Sequence, residues 1–540
     1  MSGLDIPLTP LRFLERSAGV FPTKTAIIDG PRSLSYAEMA EQVQQVAGAI
    51  RAAGVAPGES VVYVATNSAE LVMAHFAVPL AGAVLVATNT RLSTPEIAYI
   101  LEHSEARLVL IEEELAATHG EMLRASGVPV VALPAQDGTD TQIDGATPWS
   151  RFRATGEGTE LPWTVEDETA TISLNYTSGT TGRPKGVMYT HRGAHLNALG
   201  QCLHQGFVPE TRYLWTLPLF HCNGWCSAWA VTALGGTQVC LRAVRGPDVW
   251  RLIRDEGITH MAGAPTVLSI MAGAEEAAPL TEPLSVATAG APPSPTIIET
   301  FTELGVTVIH VFGLTETYGP YSSCEWQEEW AELSTPELAV RLARQGVGMT
   351  TADDLRVIRH DEGGDPDAPL VDVPADQATI GEIVMRGNTV MKGYFKDEEA
   401  TAEAFRGGWF HSGDLGVLHA DGYVQLVDRA KDVVISGGEN ISTIEIEQAL
   451  MRHPAVSEVA VIGVPDERWG ERPQAYVTCR AGQQPDEAEL IAHVKTLLAS
   501  FKAPKAVVFV EDLPKTATGK IRKNELKDAA WAGHETRIQG

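Results

Sequence analysis

Ser35–Phe76, SYAEMAEQVQQVAGAIRAAGVAPGESVVYVATNSAELVMAHF, decides the fold class. Ser35 and Glu38 stand at capping-box spacing, and Met39, Val43, Val46 and Ile50 recur on one helical face. Gly54 marks where that helix ends. Ser60–Val64 then reads as a strand, and Ala69–Phe76 is apolar at helical length. Helix, strand and helix at this spacing predict an α/β protein of layered mixed and parallel sheets with helices.

The chain has 540 residues, a prior of about three or four folding units. Hydrophobic residues make up 44% and charged residues 20%, ordinary for a globular chain and unlike a disordered one. Asp plus Glu is 69 against 41 for Lys plus Arg, a formal net charge of −28. That excess repels phosphate backbones and anionic lipid surfaces, so no nucleic-acid partner is expected. An anionic ligand therefore needs a locally cationic site. The six cysteines (Cys202, Cys222, Cys226, Cys240, Cys324 and Cys479) form no CxxC pair and no His/Cys cluster. They read as packed free thiols in a reducing cytoplasm, with neither a zinc site nor a disulfide framework.

No basic-then-apolar leader opens the sequence, and its last residues, RIQG, are not a targeting tag. The longest apolar run, Phe76–Ala87, is interrupted by Pro79 and Gly82 and is too short for a membrane span. Two polar stretches, about Gln136–Asp167 and Asp361–Gln377, read as surface excursions. Near residue 430 the pattern changes to a compact α+β unit. Ser442 and Glu445 cap one helix there and Asp486 and Glu489 another, whose face carries Leu490, Val494, Leu497 and Leu498. Strands are expected at Val459–Val464 and Ala506–Val510. Residues 1–429 thus form a large domain and 430–540 a small C-terminal lid.

The strongest chemical signal is Thr177–Gly186, TSGTTGRPKG, after the strand-like Ala170–Tyr176. Gly179 and Gly182 let backbone N–H groups approach phosphate oxygens, and Thr177, Ser178, Thr180 and Thr181 add neutral donors. Lys185 supplies a mobile positive charge. No Ser or Thr follows the lysine, so this is not the P-loop of NTPases. Further on, Phe312-Gly313-Leu-Thr315-Glu316 follows the strand-like Val306–Val311. A flat aromatic at a strand end can stack on a purine, and a threonine hydroxyl can donate to phosphate.

These strings resemble the signatures of the adenylate-forming superfamily, which includes acyl-CoA synthetases, the adenylation domains of peptide synthetases and firefly luciferase. Matching segments run in order over roughly residues 20–530. The resemblance implies that Glu316 coordinates Mg²⁺, as suits a hard cation bridging substrate phosphates. It implies that Asp414, in Trp409–Asp414, binds both ribose hydroxyls. Arg429 then reaches the ribose or α-phosphate, and Lys431 falls at the hinge position. Ala289, Gly290, Ala291 and Pro292 match the segment that flanks the adenine. Lys520, ending Pro514–Lys520, matches the lysine that serves the first half-reaction only. In Pro218–Trp225, His221 sits near the substrate carboxylate. Asn223 and Trp225 belong to the acyl pocket, with Thr266, Ala289 and Tyr318. Ser436–Asn440 resembles the lid loop of acyl- and aryl-CoA ligases, where Gly437 and Gly438 leave room for pantetheine and Glu439 orients the thiol.

The implied enzyme is an ATP-dependent carboxylic acid–CoA ligase (an acyl-CoA synthetase) using ATP, Mg²⁺ and coenzyme A on a short- to medium-chain, branched or aromatic acid. A stand-alone adenylating enzyme that loads a carrier protein is the alternative, and the chain ends too soon after Lys520 for a fused carrier. A nucleotide-binding protein without catalysis, a kinase-like phosphotransferase and a light-producing oxygenase are further alternatives, separated by their products. A homodimer is compatible with the sequence, which shows no interface signature.

Overall fold

The helix Tyr36–Ala52 starts where its capping box places it. The Ser35 backbone N–H donates to Glu38 Oε2 at 2.8 Å, and the Glu38 N–H returns to Ser35 Oγ at 3.3 Å. Met39, Val43, Val46 and Ile50 are all buried. The next helix, Ala69–Leu80, is buried along its whole length, including Glu70 and His75. A helix apolar on every face needs cover on every side. The helix Tyr36–Ala52 packs along one side, and strands and further helices of the core cover the rest.

The computed structural model describes residues 4–177, 183–290, 295–359, 369–436, 439–466, 468–480, 482–516 and 520–532. One sheet has eight strands, in the order Gly393–Tyr394, Gly186–Thr190, Thr171–Tyr176, Val84–Ala87, Ser60–Val64, Leu108–Ile111, Val130–Ala132 and Thr147–Pro148. Its central strands are parallel, whereas Thr171–Tyr176 and Gly186–Thr190 form an antiparallel hairpin. A nine-stranded sheet faces it, with parallel strands from Thr25–Asp29 through Thr237–Cys240, Arg212–Trp215, His260–Gly263 and Leu284–Thr288 to Val306–Leu314. The largest core cluster takes side chains from both sheets and from several helices packed with them, among them Leu11–Val20, Tyr36–Ala52, Ala69–Leu80, His191–His204 and Ser227–Leu234. Further helices cover the outer faces, Thr94–His103 and Glu113–Ser126 on one sheet, Gly246–Asp255 and Pro265–Ala272 on the other. The expected layered α/β part is therefore a stack of five layers.

A four-stranded antiparallel sheet follows, in the order Leu355–Ile358, Gly381–Met385, Phe410–Leu418 and Val424–Arg429. The C-terminal α+β unit has its own core around Val434, Ile446, Val461 and Val477, and its own sheet built on the long hairpin Val456–Asp466 with Gly470–Cys479. Among the described residues no helix is long and apolar enough to cross a membrane, and all six cysteines are free thiols.

Some expectations are corrected. The stretch Gln136–Asp167 is not merely a surface excursion, because it contains a strand, Thr147–Pro148, and a helix, Trp149–Ala154, with Trp149 and Phe152 buried. Gly156 lies so close to the helix Tyr36–Ala52 that a Cβ would meet Gln45 O at 1.9 Å. Residues 360–368 lie outside the described residues. In the rest of the second stretch, Asp372 bridges to Ile358 and Val373 is buried. The strand expected at Val459–Val464 runs from Val456 to Asp466. Leu497 is exposed, because its helix buries only Leu490 and Val494.

Candidate active site

The hairpin Thr171–Tyr176/Gly186–Thr190 closes with Tyr176 opposite Gly186, and the Thr177 N–H donates to Lys185 O at 3.0 Å. The glycine- and hydroxyl-rich string is therefore a hairpin connection whose two ends are held together. Ser178, Gly179, Thr180, Thr181 and Gly182 lie outside the described residues, as do Ala291, Pro292, Gly437 and Gly438. The ammonium of Lys185 stands 4.6 Å from the centre of the Tyr394 ring.

Val306–Leu314 runs on through Phe312 and Gly313 and turns at Thr315–Thr317 into Gly319–Ser323. A Cβ on Gly313 would meet Gly319 O at 1.9 Å, so only glycine permits this tight return. Phe312 is buried in the main core cluster. Thr317 Oγ1 donates to Gly319 O at 2.8 Å and accepts the Leu314 N–H, fixing the turn that presents Thr315 and Glu316. The Tyr189 hydroxyl donates to Thr315 O at 2.7 Å, and the Tyr394 hydroxyl to Glu316 Oε1 at 2.9 Å. Burial raises the Glu316 carboxyl above its ordinary value, opposed by the Tyr394 bond and the charge of Arg429. Tyr318 is fully buried one layer behind, stacked on Tyr189 at 3.9 Å, with its oxygen accepting the Thr190 N–H at 2.6 Å.

Asp414 and Arg429 are directly opposite each other on the antiparallel strands Phe410–Leu418 and Val424–Arg429. Arg429 Nε lies 3.3 Å from Asp414 Oδ1. Burial raises the Asp414 carboxyl, and Arg429 and Lys520 pull it back down. Lys520 comes from the C-terminal unit, yet its charge is felt at Asp414 and at His221. Burial lowers Lys520 to about 7, Arg429 and Lys431 adding repulsion that Asp414 and Asp432 oppose. Burial, with Lys520 nearby, lowers His221 to about 4, which leaves a neutral imidazole at pH 7.

After His221 the chain makes a left-handed turn. Cys222, Asn223, Gly224, Trp225 and Cys226 have φ of 45°, 41°, 55°, 51° and 60°. Left-handed backbone costs about 1–2 kcal/mol for each non-glycine residue, so the turn must be held from outside. Asn175 Oδ1 accepts the Asn223 N–H at 2.9 Å. Asn67 donates to Trp215 O and Leu217 O and accepts the Leu219 N–H, pinning the approach to His221. The Asn223 side chain is fully buried, and Trp225 is buried against Gly319. Cys222 Sγ lies 3.8 Å from His221 Nε2 and 3.6 Å from Thr315 Oγ1, and burial pushes its thiol to about 12. Thr266 stands in the first turn of Pro265–Ala272, while Ala289 and Gly290 follow the strand Leu284–Thr288.

The structure thus draws Glu316, His221, Asp414, Arg429 and Lys520 into one polar region from residues spread over some three hundred positions. Sequence reading misses Tyr394, Asn67, Asn175 and Tyr189. Each is an ordinary polar residue with no local signature of its own, and only the fold gives it a partner.

The chain belongs to the AMP-binding enzyme family. The family profile covers residues 14–395, and that of the AMP-binding enzyme C-terminal domain covers 445–520. The chain is 43% identical to the acetate–CoA ligase CCL3 of Humulus lupulus, over 97% of this chain and 94% of the relative. It is 39% identical to the peroxisomal trans-cinnamate:CoA ligase of Petunia hybrida, again over 97% and 94%. Among solved structures it resembles the anthranilate CoA ligase AuaEII in complex with anthranoyl-AMP, with a TM-score of 0.82, 27% identity and 98% of each chain covered.

Proposed function

We propose that the chain is an ATP-dependent carboxylic acid–CoA ligase. Acid and ATP give acyl-AMP and pyrophosphate, then acyl-AMP and CoA give acyl-CoA and AMP. The acid is short- to medium-chain, branched or aromatic, and relatives named for acetate, 2-methylpropanoate and trans-cinnamate support the short, branched and aromatic parts of that range. The observation that carries this reading is the approach of Lys520, from the C-terminal unit, to Asp414, Arg429 and His221 of the large part.

In this reading residues 1–429 hold the substrates and 430–540 are the lid. The carboxylate attacks the α-phosphorus, and two anions must meet. Lys520 and the N–H groups of the Thr177–Gly186 connection offset their repulsion, and Lys185 holds the outer phosphates. Asp414 accepts from the ribose hydroxyls and Arg429 steadies the α-phosphate. Glu316 is a hard carboxylate whose charge burial disfavours, and a divalent cation would supply the missing counter-charge there and neutralise charge on the phosphates. The neutral His221 orients the acid. Rotation about Lys431 then withdraws Lys520 and brings the Gly437–Gly438 loop over the adenylate, while closure excludes water. Free thiols throughout suit a reducing cytoplasm.

The test is release of AMP and pyrophosphate from ATP over linear, branched and aromatic acids, with and without CoA. AMP and pyrophosphate from one class of acid, and thioester only when CoA is added, is the expected result. ADP, or no AMP with any acid, overturns it. Thioester on a carrier protein but not on CoA selects the alternative ligase.

A further inference from the structure

Tyr394 touches both charged arms of the site. Its short strand, Gly393–Tyr394, pairs with Gly186–Thr190, the strand that leaves the phosphate-side connection, with Tyr394 opposite Val187. The Tyr394 N–H donates to Thr401 Oγ1 at 2.9 Å and the Phe395 N–H to Gly186 O at 2.7 Å, so the backbone is tied on both sides. The hydroxyl donates to Glu316 Oε1 at 2.9 Å, and the ring carries the Lys185 ammonium at 4.6 Å. One planar side chain with few torsions therefore stands between a cation and an anion.

Without the ring those two groups attract each other across the space it fills. A direct Lys–Glu pair consumes the lysine meant for phosphate and the carboxylate meant for the cation. A contact with an aromatic face is weaker than such a pair, so Lys185 leaves it readily for a polyphosphate. The phenol takes up one carboxylate oxygen as a neutral donor and leaves the other for a ligand. A phenol is protonated at neutral pH and so remains a donor.

We propose that Tyr394 is a positioning residue that holds Lys185 and Glu316 apart, keeping the lysine available to the nucleotide and the carboxylate available to the divalent cation. This rests on the reading of Glu316 and Lys185 given above.

The experiment compares Tyr394→Phe, which keeps the ring, with Tyr394→Leu, which removes ring and hydroxyl. Glu316→Gln and the double variant Tyr394→Leu/Glu316→Gln complete the set, each checked for folding by circular dichroism. Two quantities are read: metal-free binding of α,β-methylene-ATP by calorimetry, and Mn²⁺ binding to that complex by electron paramagnetic resonance. Tyr394→Phe is expected to weaken Mn²⁺ binding about three- to tenfold and to leave metal-free nucleotide binding within twofold. Tyr394→Leu is expected to weaken metal-free binding about tenfold as well, because Glu316 captures Lys185. The double variant is then expected to recover that loss, since no carboxylate remains to capture the lysine. A merely structural role predicts no such rescue. Wild-type metal and nucleotide binding in Tyr394→Phe and Tyr394→Leu, or an unrescued double variant, overturns the proposal. Unchanged Mn²⁺ binding in Glu316→Gln removes that carboxylate's metal role instead, and the metal-free titrations still decide whether Tyr394 holds Lys185 away from it.

Discussion

Two of the molecule's charge groups are treated oppositely. The first links the two large sheets at Asp29, Arg32, Glu70, Glu112 and Arg242. There Arg32 meets Glu70 at 2.6 and 3.0 Å and Asp29 at 2.9 Å, while Arg242 meets Glu112 at 3.1 Å. Thr66, Gln136 and the Ala69 N–H supply further donors, so each of the six carboxylate oxygens has at least one. The second is the site, where Asp414 has Arg429 at 3.3 Å and the cations Arg429, Lys431 and Lys520 repel one another. A buried network whose carboxylate oxygens all have donors holds structure together, even though Arg242 Nε and Nη2 lack hydrogen-bond partners among the described residues, whereas a group of mutually repelling cations can be met by an anionic ligand. The same residue types therefore serve as a clamp in one place and as a receptor in the other.

Removing a charge from each group separates these roles, and the largest effect is expected in the receptor. Lys520→Ala is expected to slow acyl-adenylate formation about 10²–10³-fold, the usual loss when one preorganised donor is removed. Pyrophosphate exchange measures it. Thioester formation from supplied acyl-adenylate and CoA is expected to survive, and the melting temperature to stay put, because the lysine loses more than it gains from its surroundings in the ligand-free enzyme. Equal loss of both half-reactions would refute a lysine that serves only the first.

Arg32→Ala breaks the clamp and is expected to do the reverse. It leaves Asp29 and Glu70, 0% and 2% exposed, without their nearest cation. Stripping one partner from a buried pair costs about 3–5 kcal/mol. Differential scanning calorimetry should show a clearly lower melting temperature. The kcat of the protein that remains folded is expected to be unchanged. A lower kcat at full folding would tie the clamp to the chemistry and erase the contrast.

The two groups also differ in how far they could be read before the fold was known. Asp414, Arg429, Glu316 and Lys520 stand in strings whose order resembles a family, so their meeting was expected, and the hairpin pairing Asp414 with Arg429 gives it a register. The clamp leaves no local mark. Asp29, Glu70 and Glu112 sit at strand ends and a helix start far apart in the chain, and only stacked sheets bring them together. Trp149 and Phe152 were hidden in a polar stretch because burial depends on what packs above them. The turn at Cys222–Cys226 was illegible for another reason: four of its five residues have a Cβ that disfavours positive φ. Local preference there is overruled by Asn175 and the walls of the site.

The smallest expected effect sharpens the contrast through protons. In the ligand-free enzyme Lys520 is lowered to about 7, first by burial and then by Arg429 and Lys431. A polyphosphate adds to the opposite charge of Asp414 and Asp432, so binding raises the lysine's pKa again. Above pH 7 the free enzyme has largely shed this proton, whereas the complex keeps it. Nucleotide binding must then take up a proton, and affinity for ATP must fall as pH rises from 7 to 9, by up to about tenfold for each unit. Calorimetry in buffers of different ionisation enthalpy counts the protons directly. An uptake between zero and one at pH 8, absent in Lys520→Ala, is the expected outcome. Proton release would refute the prediction, and an uptake that persists without Lys520 would move the unsatisfied charge to Lys431, which burial and Arg429 lower to about 8. The clamp offers no counterpart, because its guanidiniums stay charged throughout this range.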